Sequence, residues 1–306
     1  GLSSAPLGMV ANISSQPFRG LNLPSQRADT NQGNFLPGLF NYSSYAMAKI
    51  LGANFTALRL GLNVQTAHHR PSLEILRGYI DKLGPDAEPG VLLCMWDTLQ
   101  PGEHGHGDGR VNNVTEMGAA WKVAAAAFAG TRIKFEIFNE PFGYSSADGY
   151  LSEMLRIVSL AELPLDRVVL DGMGYAQDPA KIAGMWPGWL AYHLYPNWLP
   201  DGARTQERFS NLVQGKLQHI SSRTLITEFG ASLSVDVDYE KYQPSGWGAS
   251  GDVNMLRGLD DAVTAFRNAG NGVLGAYHWH GWDNGDSYSF WGRGYRGRVQ
   301  RVLRNL

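Results

Sequence analysis

Three features of the sequence predict an α/β chain closed into a (β/α)8 (TIM) barrel. Eight short runs of apolar, β-branched or aromatic residues recur along the 306 residues, and segments of helical periodicity lie between them. Most of the runs are apolar throughout rather than alternating, as parallel strands covered on both faces should be. Eight strands with interleaved helices suit a barrel better than an open doubly wound sheet. The open sheet is further disfavoured because no GxGxxG follows the first run and no P-loop occurs anywhere.

In chain order, PFRGLNL (17–23) is the first strand, and YSSYAMAKILGA opens on serines and closes on Gly52 as the first helix. FTALRLGL (55–62) and GVLLCMWDT (90–98) are the second and third strands. The alanine-rich TEMGAAWKVAAAAFAG reads as a helix capped by Thr115 and stopped by Gly130, and IKFEIFNEP (133–141) is the fourth strand. SADGYLSEMLRIVSLAEL has apolar residues at three-to-four spacing and leads to RVVLDGMG (167–174). A short, weakly marked helix near 178–186 precedes WLAYHLYP (189–196). TQERFSNLVQGKLQHI, RTLITEFGA (223–231), DVNMLRGLDDAVTAFRNAG and GVLGAYHWHGW (272–282) complete the alternation. With no low-complexity stretch, solenoid repeat or Pro/Ser-rich linker, residues 1–306 are expected to form one domain.

The composition, 43% hydrophobic and 18% charged, is that of a globular chain with a sizeable core. A net charge of −2 argues against a nucleic-acid surface. No apolar run approaches the ~18 residues of a membrane span. Cys94 is the single cysteine, which rules out an intrachain disulfide but leaves the compartment open. The opening GLSSAPLG reads as a trimmed or processed end. A monomer is expected.

Two of the strands end in a residue that a buried strand does not need. FEIFNEP runs Phe135, Ile137 and Phe138 into Asn139, Glu140 and Pro141, and LITEFG runs Leu225 and Ile226 into Glu228. In a barrel both strand tips face one cleft, where catalytic groups of this fold sit. Two carboxylates across a cleft can cleave a glycosidic bond: one protonates the leaving oxygen while the other attacks the anomeric carbon or activates water. Asn139 beside Glu140 can hydrogen-bond a sugar 2-hydroxyl. The plainer alternative is a pair of glutamates that cap neighbouring helices or bind a cation.

These strands resemble the signature strands of clan A glycoside hydrolases, and of family 5, the cellulase and mannanase group, in particular. Arg59 in LRLGLN, at the second strand's end, matches the family's arginine near the nucleophile. His193 and Tyr195 in AYHLYP match its His-x-Tyr, and Trp279 in AYHWHGW matches the aromatic that floors the subsite of bond cleavage. The resemblance implies a retaining hydrolase with Glu140 as acid/base and Glu228 as nucleophile. It implies an oligo- or polysaccharide substrate, no cofactor and no metal. An endo-β-1,4-glucanase acting outside the cell or in a periplasm is the leading expectation. An exo-acting β-glucosidase, β-mannosidase or transglycosylase could use the same site, in the cytoplasm if it acts on imported oligosaccharides, and a non-catalytic carbohydrate-binding barrel is the alternative of another class.

The residues support these assignments in part by themselves. A guanidinium beside Glu228 favours its ionised form; the plainer alternative is a core ion pair of Arg59 with Glu136. Tyr195 could hydrogen-bond Glu228. His193 could touch Glu140 or a sugar hydroxyl, or sit satisfied in the core; its two-residue spacing from Tyr195 puts both on one strand face. Of nine tryptophans, Trp96, Trp198, Trp247, Trp279, Trp282 and Trp291 fall in or just after strand ends, where rings stack on sugars, whereas Trp121 on a helix is expected in the core. One departure stands out. Where the family has an Asp-x-His at the third strand, this chain has Trp96 and Asp97, with His104 and His106 later in a glycine-rich HGHGD loop. His68 and His69 are further candidates for the cleft wall. Long loops after the first strand (23–42) and the seventh (231–251) are expected to frame the site.

Overall fold

Every one of the eight apolar runs becomes a strand buried on both faces. The computed structural model describes residues 16–23, 44–96, 108–233, 238–241, 249–281, 287–291 and 296–306. The strands are β1 (Phe18–Leu23), β2 (Ala57–Leu62), β3 (Leu92–Met95), β4 (Lys134–Glu136), β5 (Val168–Asp171), β6 (Trp189–Leu194), β7 (Thr224–Phe229) and β8 (Gly275–His278). Each pairs in parallel with the next, and β8 pairs with β1, so the sheet is a closed barrel. No edge is left to template pairing with another chain.

The helices are α1 (Ser44–Gly52), α2 (Val64–Ala67), α3 (Arg70–Leu83), α4 (Val114–Ala127), α5 (Ala147–Ala161), α6 (Met173–Ala176), α7 (Ala180–Ala183), α8 (Gln206–Leu217), α9 (Ala249–Asn268) and α10 (Gly297–Arg304). Polar side chains start several of them: Ser146 Oγ accepts from Gly149 N, and Thr205 Oγ1 accepts from Arg208 N, which satisfies orphan N–H groups. The cap of α4 is Asn113 rather than Thr115, its Oδ1 accepting from Thr115 N and Glu116 N at 3.1 Å each. The weakly marked segment after β5 is a single turn, α7. Among the described residues no helix is long and apolar enough to cross a membrane.

Inside the barrel the period-two alternation of strands separates two floors. The lower floor is apolar, with Ala57, Leu92, Val169, Ala191 and Leu225 packed among Phe18, Trp189 and Tyr277. Tyr277 crosses it to donate its hydroxyl to Gly90 O at 2.5 Å. Gly20 permits that crossing, since a Cβ there would lie 2.1 Å from the Tyr277 ring. Two residues further along the same strands, the inward positions are Arg59, Cys94, Glu136, Asp171, His193 and Thr227, all buried. Strands β2 to β7 therefore each carry a polar group or thiol to the upper floor. On β7 the register against β6 shifts: Ile226 pairs with Tyr192 but Glu228 with His193. The bulge lets Thr227 and Glu228 both reach the interior, which strict alternation would forbid.

One charge interrupts the lower floor. Lys134 Nζ lies 5.6 Å from the ring centroids of both Phe18 and Trp189 and donates to the Pro89 carbonyl. Burial, with Arg167 and Arg132 adding to it, lowers its pKa from 10.5 to about 8. Between those values the unfolded chain holds the proton and the folded chain does not. Its contribution to stability is thus full above 10.5 and lost as pH falls through about 8. We expect the stability of the wild type relative to Lys134→Met to rise with pH across this window, by at most about 3 kcal/mol. Urea unfolding at neutral pH and near the upper limit measures it; a difference independent of pH would mean that the ammonium is solvated.

Candidate active site

The upper floor is organised around Arg59, which lies in mid-strand on β2 rather than at its end and is 1% exposed. Its Nε donates to Glu136 Oε2 at 2.7 Å, and Nη2 donates to Glu136 Oε1 at 2.9 Å and Asn139 Oδ1 at 2.7 Å. Nη2 also meets Cys94 Sγ at 3.1 Å, while Nη1 donates to Asn22 Oδ1 at 3.0 Å and Glu228 Oε1 at 2.5 Å. The core ion pair with Glu136 and the contact with Glu228 thus exist together. Burial alone would push the guanidinium down, but the surrounding acidic groups hold it well above its usual value. Burial would likewise raise Glu136, and the two-pronged contact with Arg59 reverses this and lowers it.

Glu228, 3% exposed, receives a second donor: Tyr195 Oη gives its hydrogen to Oε2 at 2.6 Å. Burial and the adjacent carboxylate push that phenol well up, so it remains the donor. Glu140 is less enclosed, 21% exposed, with Oε1 2.9 Å from His193 Nδ1. His193 is fully buried; its Nε2 lies 3.0 Å from Thr227 Oγ1, and its Nδ1 is also 3.6 Å from Glu228 Oε2. The imidazole therefore stands between the two glutamates, and an oxygen of each carboxylate lies within 4.8 Å of the other.

The chain delivers Glu140 by leaving the β4 ladder early. After Glu136, Ile137 N still donates to Val169 O and Asn139 N to Met95 O, while Trp121 Nε1 donates to the Ile137 carbonyl at 3.0 Å. Trp121 is fully buried against Phe135, a core residue as its helical position predicts. Glu140 then turns into the left-handed region at φ 51°, which costs a non-glycine residue about 1–3 kcal/mol. Its N–H is taken by Asp171 Oδ2 at 2.9 Å. Sequence reasoning passed over Asp171, although RVVLDGMG closes an apolar run on a carboxylate just as FEIFNEP does. It also passed over Asn22, whose side chain accepts from Arg59 and donates to Thr227 O at 2.9 Å.

Aromatic rings border the two glutamates. Trp279 follows β8, and its ring lies 5.6 Å from that of Trp96, which itself lies over the Arg59 guanidinium at 5.8 Å. Trp198 packs edge-on to Tyr195 and donates Nε1–H to His193 O at 2.7 Å. Trp291 packs edge-on against Phe55 and Phe290, and its Nε1 donates to Gly281 O at 2.7 Å. His68 ends α2 and His69 starts α3, both exposed, with His69 Nδ1 2.7 Å from Ser72 Oγ. Trp282, Trp247, Asp97, His104 and His106, with most of both long loops, lie outside the described residues.

Two triads bring possible metal-ligand atoms within 4.8 Å of one another: Glu136, Asp171 and His193, and Glu140, His193 and Glu228. In each, Arg59 already donates to a carboxylate, so a cation would have to compete with the guanidinium.

No family model and no curated protein matches the sequence. Solved structures do match. A triple variant of an endo-β-1,4-glucanase from Xanthomonas axonopodis pv. citri superposes with a TM-score of 0.67 at 13% identity, over 94% of this chain and 99% of that one. An endoglucanase of Pseudomonas stutzeri, solved with cellobiose, gives 0.65 at 12% identity over 95% of both chains. The fold is that of these endoglucanases. A xyloglucan-specific endo-β-1,4-glucanase of glycoside hydrolase family 5 from a metagenomic library, solved with cellotriose, gives 0.64 at 16% identity over 94% and 96%.

The charge arrangement around Arg59 sets a test. Arg59→Met should destabilise the protein by about 3–5 kcal/mol, chiefly by leaving the Glu136 carboxylate buried without its cation. Adding Glu136→Gln should recover part of that loss. Denaturant unfolding of the two single variants and the double variant measures the coupling, and strictly additive effects would refute it.

Proposed function

We propose that this protein is a retaining β-glycosidase of the family 5 type, an endo-acting β-1,4-glucanase or a hydrolase of a related β-glycan. Glu140 is its acid/base and Glu228 its nucleophile. The observation that carries this reading is the proximity of the two carboxylates, with oxygens within 4.8 Å. Retaining enzymes hold their carboxyl groups roughly 5–5.5 Å apart, whereas inverting ones leave about 6.5–9.5 Å for a water between them. The unlike surroundings support the division of roles. Glu228 has a donor on each oxygen, while for the more exposed Glu140 the described residues offer His193 on Oε1.

In this mechanism Glu228 attacks the anomeric carbon as Glu140 gives its proton to the glycosidic oxygen, and the leaving sugar departs as an alcohol. Glu140, now a carboxylate, takes a proton from water, whose oxygen displaces Glu228 and restores the β-configuration. Trp279 and Trp96 supply apolar faces for a sugar ring beside Glu228, and Asn139, oriented by Arg59, is placed for a 2-hydroxyl. Double displacement needs no cofactor. The endoglucanase activity named for the structural neighbours favours a polymer substrate, and a polymer requires action outside the cytoplasm.

The test is product analysis over glucan, mannan, xylan and mixed-linkage polymers with short oligosaccharides, the first-formed anomer being read by proton NMR. A β-anomer is expected from a β-linked substrate, and an initial α-anomer would sink the retaining assignment. Glu228→Gln should abolish turnover. Glu140→Ala should spare activated aryl glycosides, with azide rescuing the second step.

The tryptophans separate site from core. Trp279→Ala should lower kcat/KM by about tenfold or more with a smaller loss of stability, since its ring borders the cleft beside Trp96 rather than filling the core. Trp121→Ala should instead cost about 3–5 kcal/mol of stability. Thermal melts and steady-state kinetics on both variants distinguish them, and equal behaviour would remove Trp279 from the subsite.

A further inference from the structure

Resting on the reading of Glu140 as acid/base, we propose that Asp171 is its positioning residue: a neutral carboxylic acid that donates its proton to Glu136 and holds the Glu140 backbone N–H. The geometry leaves Asp171 this role. It is fully buried at the tip of β5, and Oδ2 accepts the N–H of Glu140 at 2.9 Å, at the residue whose φ of 51° places it in the left-handed region. Oδ1 is equally buried, and among the described residues no donor reaches it. The charged and titratable groups around it come from every neighbouring element. An oxygen of Glu136 on β4 lies within 4.8 Å of one of Asp171, Arg59 on β2 is directed at Glu136, and His193 Nε2 on β6 is 3.9 Å away, beyond a hydrogen bond. Tyr150 on α5 and Cys94 on β3 face it as a phenol and a thiol, both pushed up by burial.

Two buried carboxyl groups this close do not both ionise readily, and the group without the cation keeps the proton. Arg59 occupies Glu136, so the proton stays on Asp171. Burial first and Glu136 second push the Asp171 carboxyl well above its usual range, in agreement. The proton satisfies the otherwise orphaned Oδ1 and uses a free lone pair of Glu136. Asp171 then ties the Glu140 turn to the same carboxylate that anchors Arg59, and through Arg59 to Glu228. It touches no substrate and exchanges no proton during turnover.

An asparagine reproduces the arrangement, its amide N–H donating to Glu136 and its oxygen accepting from Glu140 N–H. We therefore expect Asp171→Asn to retain kcat within about threefold of wild type. Asp171→Ala removes both contacts and should lower kcat by about a hundredfold on poor leaving groups, far less on activated aryl glycosides, with KM little changed. A loss in the asparagine variant as deep as in the alanine variant, or full activity of the alanine variant on poor leaving groups, overturns the positioning role. The proton has a readout independent of activity. At about pH 9, above the ordinary carboxyl range, the wild type should keep an infrared band of a protonated carboxyl that Asp171→Asn abolishes. Absence of that band in the wild type, or its persistence in the asparagine variant, overturns the neutral acid even if no β-glycoside is cleaved, whereas inactivity with the band present fails only the glycosidase reading. If the alanine chain does not fold, the asparagine variant and the band decide.

Discussion

The guanidinium of Arg59 is the constraint on which the upper half of the barrel depends. A cation at 1% exposure is tolerable only if its N–H groups are answered and its charge is balanced. Here the answers come from β1, β3, the end of β4 and β7, so one side chain sets the mutual positions of elements far apart in sequence. Asn22, Glu136 and Asn139 are then determined by what Arg59 requires as much as by anything a substrate requires. The carboxylate of Glu228 has its place because a planar fork, rather than a flexible ammonium, lies beneath it.

The same network makes two chemically identical side chains unlike. Glu228 lies in the interior between a guanidinium and a phenol, while Glu140 sits at the rim on a left-handed turn with an imidazole for company. Neither difference is a property of glutamate; both follow from which strand carries the residue and how far past the ladder it lies. The apolar lower floor supports this polarity from below, since the rings of Phe18, Trp189 and Tyr277 close the barrel's interior on that side.

Much of this was legible in the sequence. The eight runs became eight strands, because apolar segments bounded by turns and helices can be buried on both faces in few other ways. The odd residues in those runs, Arg59, Asn139, Glu140, His193 and Glu228, converge on one end of the barrel, since parallel strands present the same end to one cleft. Positions along the strands were less legible. Arg59 looked terminal because LRLGLN ends in an asparagine, yet pairing continues to Leu62. Thr115 looked like a cap because it opens the alanine-rich segment, yet asparagine is the better capping residue and the Asn113 oxygen is the one that faces the free N–H groups. Asp171 was obscured for a different reason: a carboxylate matters there through the backbone N–H of Glu140, on the turn beyond β4, a contact that side-chain spacing does not encode.

The irregularity on β7 has one more consequence. Strand residues normally keep the phase set at the strand's first residue, so packing at the base of a sheet dictates what points inward at its top. The extra residue at Thr227 resets that phase, and the two halves of β7 become separately adjustable. Below it, Leu225 answers to the floor; above it, Glu228 answers to Arg59 and Tyr195. Changes of volume in the floor can therefore be absorbed without rotating the carboxylate. With the same residues and no bulge, strict alternation from Leu225 through Thr227 would turn Glu228 toward the helices while leaving every residue of the strand's lower half where it was.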